Sequence, residues 1–87
     1  MSTLTFETEP LAVDVTVSDE TLRVTLDDGR EIGAPTAWFP RLRDAPAAAR
    51  SKWRLIGIGE GIHWPDIDED ISVLGLLAGN RRHSRAA

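Results

Sequence analysis

The sequence predicts one small α+β domain: an antiparallel sheet, built from an N-terminal three-strand meander plus later strands, with short helices against it. Three observations carry that expectation. The chain has 87 residues, a length that fits a single domain with a small core. Between Ala12 and Leu26 apolar residues twice alternate with polar ones, which is the period of a half-buried strand. Beyond Ala34 that alternation gives way to proline-led segments rich in alanine and aromatic residues, which suit short helices.

The elements follow in order. Residues 1–8 read as a flexible leader to a domain over residues 9–79. In the first strand Val13, Val15 and Val17 face inward, with Asp14, Thr16 and Ser18 outward. Ser18-Asp19-Glu20 supplies turn residues. Leu22, Val24 and Leu26 form the inward row of the second strand. Asp28-Gly29 marks a hairpin, because glycine accepts the positive φ of a primed turn. Arg30 to Ala34 completes the meander with Ile32 inward, and Pro35 ends it.

Pro40 fits the first turn of a helix over Arg41-Leu42-Arg43, and Pro46 opens a second over Ala47 to Arg50. Trp38, Phe39 and Leu42 are the large apolar groups that cover the sheet. Trp53 to Ile58 reads as a strand, with Trp53 and Leu55 packed in the core against Val13, Val15, Val24 and Leu26. Gly57, Gly59 and Gly61 recur every second residue, which permits a tight turn, a bulge or a close backbone approach. Ile62-His63-Trp64 returns as a short strand that Pro65 breaks. Asp66 to Asp70 turns the chain and places charge before the last helix. Ser72 caps that helix over Val73 to Ala78, and Gly79 suits its end. Residues 80–87 form a disordered basic tail.

Composition excludes several function classes. With no cysteine there are no disulfides, thiolate metal sites or thiol nucleophiles. The formal net charge is −4, so nucleic-acid binding is not expected of this chain alone. Arg41, Arg43, Arg50, Lys52 and Arg54 nevertheless cluster in one stretch, either as a solvated mixed-charge surface or as a basic partner surface. The first residues carry acids and no basic n-region, so the cytoplasm is the expected compartment, with no membrane segment.

The chemical motifs are weak. Gly57-Ile58-Gly59-Glu60-Gly61 departs from a dinucleotide fingerprint: its third glycine comes early and Glu60 would repel phosphate. Asp66, Asp68 and Asp70 open like a calcium loop, but Ile71 and Leu77 stand where glycine and glutamate are needed. No metal ligand set, cofactor site or catalytic constellation is expected. A small enzymatic or ligand-binding site using His63 and Asp68 is the alternative reading.

Three segments together resemble a known family. They are Trp38-Phe39-Pro40-Arg41-Leu42, Trp53-Arg54-Leu55-Ile56-Gly57, and the run from Gly61-Ile62-His63-Trp64-Pro65 through Asp66-Ile67-Asp68-Glu69-Asp70-Ile71-Ser72 to Gly75-Leu76-Leu77. Over residues 10–79 the chain is similar to the bacterial domain of unknown function 2442. The resemblance implies a compact α+β fold and no established enzymatic activity. It also implies a suggested antitoxin role, since some members stand beside a gene for a second small protein. Some members add a C-terminal helix-turn-helix, for which the residues after Gly79 leave no room. The expected function is a non-enzymatic interaction module, antitoxin-like, that masks a small basic protein. Its candidate partner-binding residues are Glu60, His63, Trp64, Asp66, Asp68, Glu69 and Asp70.

Overall fold

In the computed structural model, residues 10–79 are described. The expected leader over residues 1–8 and the basic tail over residues 80–87 lie outside them. Six strands form two separate antiparallel sheets in sequential order. The first sheet contains β1 (Ala12–Val17), β2 (Thr21–Leu26) and β3 (Glu31–Pro35). The second contains β4 (Arg54–Ile56), β5 (Gly61–Trp64) and β6 (Glu69–Ser72). Between them run a 3-10 turn (Thr36–Trp38), helix α1 (Pro40–Arg43) and helix α2 (Ala47–Arg50), and α3 (Val73–Leu77) follows β6.

The alternation read in β2 is realised in full. Leu22, Val24 and Leu26 are buried and face Ala34, Ile32 and Arg30 of the neighbouring chain segment. β1 departs from the pattern. Its register shifts between Ala12 and Asp14, so Ala12 turns inward and Val13 stands 51% exposed. One extra residue in a strand flips every side chain before it to the other face, and so Val13 is not part of the core.

The β2–β3 connection also differs from the expected primed turn. Gly29 N–H donates to Leu26 O at 3.0 Å and Leu26 N–H donates to Arg30 O at 2.8 Å. Gly29 has φ +93°, whereas neither Asp27 nor Asp28 has a positive φ. This is the three-residue loop in which a glycine bulge follows a type I turn.

Phe39 and Leu42 are buried beneath the first sheet, and Trp38 packs half-buried at the edge of the same cluster. Trp53 and Leu55, expected in the core, are only half-buried. The tryptophan at the centre is Trp64, with 0% exposure, beside Ile62, Ile71 and Val73. The strand after Trp53 is short because Gly57 and Gly59 take φ values of +62° and +117° and turn the chain back. A Cβ at Gly59 would lie 2.6 Å from the carbonyl oxygen of Ala12. Ala12 N–H donates to Gly59 O at 2.8 Å, so this glycine lets the β4–β5 turn close directly onto β1.

Candidate functional site

The segment from Gly61 to Ser72 is a β-hairpin, and its two faces divide the candidate residues. Ile62, Trp64, Glu69 and Ile71 point inward, while His63 and Asp70 lie opposite each other on the outer face. The acidic run was expected to be a turn carrying helix N-terminal charges. Only Pro65 to Asp68 form the turn, and Glu69 and Asp70 belong to β6. The first turn of α3 contains no acid. Its cap is Ser72, whose hydroxyl accepts from Gly75 N–H at 2.8 Å. The hydroxyl meets an N–H that the short helix would otherwise leave open.

Each acid of the turn is held locally. Lys52 Nζ lies 3.4 Å from Asp66 Oδ2. Arg41 Nη1 donates to the carbonyl oxygen of Asp68 at 2.7 Å, and Asp68 adopts φ +53°. Aspartate is one of the few side chains that tolerate that left-handed conformation. His63 Nδ1 and Asp70 Oδ1 are 2.5 Å apart on the half-buried outer face. The carboxylate paired with His63 is therefore Asp70, the residue directly across the ladder, whereas Asp68, named with His63 in the alternative reading, lies in the turn.

Trp64 and Glu69 leave the list of exposed candidates. Trp64 is fully buried and Glu69 is 1% exposed. The two sit opposite each other in the β5–β6 ladder. Glu60, Asp66 and Asp68 are exposed. Glu60 does not join the acidic turn, since residues 57–60 and residues 65–68 occupy opposite ends of β5. Four residues of strand separate them by roughly 13 Å.

The end of the hairpin that carries Glu60 has a different character. Val73 N–H donates to Glu60 O at 2.9 Å, and Ala12 N–H donates to Gly59 O. These bonds gather the start of β1, the β4–β5 turn and the start of α3. The side chains left outward there are Val13, Ile58 and Leu74, at 51%, 73% and 46% exposure. A shallow groove of about 350 Å³ lies alongside, lined by Pro10, Glu60, Ser72, Val73 and Leu74.

One residue with a decisive place was assigned by sequence only to a charged surface. Arg50 is 8% exposed. Its guanidinium donates to Leu42 O at 2.9 Å and to Arg43 O at 2.8 Å, at the end of α1. It also donates to Asp19 Oδ1 at 2.7 Å, in the β1–β2 turn. The main-chain oxygen of Arg50 accepts from Trp64 Nε1 at 3.0 Å. Arg50 thus joins both sheets and both middle helices. A rigid guanidinium fork serves this purpose better than an ammonium group. Nothing in the Ala47-Ala48-Ala49-Arg50 run distinguishes such an arginine from a solvated one.

Residues 12–82 match the model of a family described as "Protein of unknown function (DUF2442)". The chain belongs to this family. A family member's likeness extends to solved structures. A crystal structure of a protein of unknown function from Rhodospirillum rubrum ATCC 11170 is 30% identical, with a TM-score of 0.70, over 83% of this chain and 89% of that one. The solution NMR structure of the uncharacterised protein CV0863 from Chromobacterium violaceum shares the fold, with a TM-score of 0.71 at 20% identity, over 85% of this chain and 70% of that one. No curated protein matches the chain. No helix among the described residues is long and apolar enough to cross a membrane.

Proposed function

We propose that this family member is a non-enzymatic interaction module that holds a small protein partner, in the antitoxin-like manner suggested for the family. The observation that carries the reading is the outward set of Val13, Ile58 and Leu74 around one backbone-tied turn. Large apolar side chains gathered at one place on a small protein favour a protein-binding surface. Glu60 beside them, with a net charge of −4 over the whole chain, favours a basic partner reached by electrostatic steering. The exposed Asp66 and Asp68 extend that field from the far end of the hairpin.

The test is co-purification with the product of the adjacent gene, followed by association kinetics across a salt series. The expected result is a complex whose association slows as salt rises. It should be lost in Ile58→Asp, at a side chain that contributes little to the core. Failure of the adjacent product to bind, or sequence-specific DNA binding by the isolated chain, would overturn the proposal.

A further inference from the structure

The four sheet edges are not equally protected. β3 carries Pro35, which has no N–H, and Gly33 and Glu31 along its outer side. β4 is only three residues long and begins with Arg54. β6 is four residues long and runs directly into α3. β1 is six residues long. Its bulge protects the first half, but from Asp14 to Val17 the strand is regular and contains neither proline nor a basic side chain.

The hydrogen-bond parity shows which groups this edge presents. Ser18 N–H donates to Thr21 O across the β1–β2 turn. Bonded pairs recur every second residue of an antiparallel ladder, so Thr16 bonds Arg23 and Asp14 bonds Thr25 in the observed register. The N–H and C=O groups of Val15 and Val17 therefore point away from β2. Beneath that edge lies a groove of about 230 Å³, lined by Val15, Thr16, Val17, Ala47, Arg50, Ser51 and Trp53. Its volume is below the roughly 300–1,000 Å³ of small-molecule sites, and it suits side chains arriving on another strand.

We propose that β1 pairs antiparallel with β1 of a second copy of the chain, about a two-fold axis at Thr16, to make a continuous six-stranded sheet. Val15 of each copy then exchanges both main-chain hydrogen bonds with Val17 of the other. The inward valines of each copy extend the apolar floor beside Trp53 of its mate. The bulge and charge together select this register: pairing centred on Val15 would carry Val13, inside the bulge, into the ladder opposite Val17. Pairing centred on Asp14 would set that carboxylate against its own copy, and pairing centred on Val17 would set Asp14 against Glu20. Like charges directly opposite are destabilising. Centred on Thr16, Asp14 instead meets Ser18.

The absence of cysteine from the chain allows a direct test. At the two-fold axis Thr16 forms a non-hydrogen-bonded pair, with Cα atoms about 4.5 Å apart, inside the ~4.4–6.8 Å range of a disulfide. Thr16 is exposed, so Thr16→Cys leaves the core alone. The expected results are a solution mass of twice 9.6 kDa for the unaltered full chain at high concentration, and covalent dimers of Thr16→Cys under mild oxidation. Asp14→Cys, displaced from the axis, should remain uncrosslinked, and Thr16→Lys should return the chain to monomer by placing two ammonium groups together. A chain that stays monomeric at every concentration overturns the proposal. So does crosslinking of Asp14→Cys as fast as Thr16→Cys, which would place the contact elsewhere.

Discussion

The middle strand of the first sheet, β2, turns Leu22, Val24 and Leu26 inward and is held by aliphatic packing. The edge strand β6 of the second sheet turns Glu69 and Ile71 inward beside Trp64, and its surroundings are tied by polar contacts. Trp64 bonds Arg50, His63 meets Asp70, Arg41 holds Asp68 and Lys52 faces Asp66. The first sheet should therefore be sensitive chiefly to lost volume. The second should be sensitive to lost donors and acceptors even when volume is kept.

The largest effect should come at Trp64. Trp64→Ala removes a fully buried indole and its bond to Arg50, at a cost of about 3–5 kcal/mol. That is a large share of the ~5–15 kcal/mol available to an ordinary domain. Trp53→Ala, at a half-buried position, should cost clearly less. Urea denaturation of the two variants checks the ranking, and equal losses would break the distinction between the two tryptophans.

Arg50→Leu keeps apolar bulk but deprives Arg43 O of its guanidinium donor. The expected loss is about 1.5–3 kcal/mol, the range for hydrogen bonds to a charged group. The pair with Asp19 contributes little of this, because the Asp19 side chain is 90% exposed. Arg50→Lys should not restore stability, since an ammonium group cannot span the three acceptors. Leu22→Met in β2 is the comparison: a volume-conserving swap should cost less than about 1.5 kcal/mol. Full rescue by lysine, measured by urea denaturation, would show that charge alone is needed.

Gly59→Ala probes the joint between the sheets. The added methyl meets the Ala12 carbonyl oxygen at 2.6 Å and strains a φ of +117°. A loss of about 1–3 kcal/mol is expected, against a smaller one for Gly79→Ala, where the space is open. Thermal melts of the two alanine variants compare them.

Most of the fold could be read from the chain, and the failures have definite physical causes. The meander, both proline-led helices, the glycine turn and the Ser72 cap follow from local chemistry that nothing downstream overrides. Val13 was misplaced because a bulge is one residue of slippage with no residue type of its own. β6 was hidden because Glu69 occupies an inward position, so its alternation reads as a run of acids. The spacing of Glu69, Ile71 and Val73 at every second residue is the signal that remained. At the candidate site, His63 and Asp70 are cross-strand neighbours, a relation that appears only once β6 is recognised as a strand. Arg50 takes its role from three distant carbonyl and carboxylate oxygens, which no local pattern announces.

The smallest effect concerns acid. The main-chain N–H of Arg30, with help from the Arg30 side chain, holds the Asp28 carboxyl below its ordinary 3.8. A depressed carboxyl contributes stability above its unfolded value and loses it as pH falls through the folded one. Asp28→Asn should therefore lower the melting temperature slightly near neutrality and leave it unchanged in acid, which flattens the acid limb of its pH dependence. A loss that persists in acid, where the carboxyl is protonated, would mean that the β2–β3 loop depends on more than this charge.

Hydrogen exchange of the three tryptophan indoles tests the central claim most directly: that the Gly61–Ser72 hairpin is anchored inside the molecule by Trp64. Its indole N–H is buried and bonded to Arg50 O at 3.0 Å, whereas Trp53 is half-buried. The account predicts that one indole resonance, absent in Trp64→Phe, persists in D₂O and exchanges only with global unfolding. Exchange of the Trp64 indole as fast as that of Trp53 would contradict it.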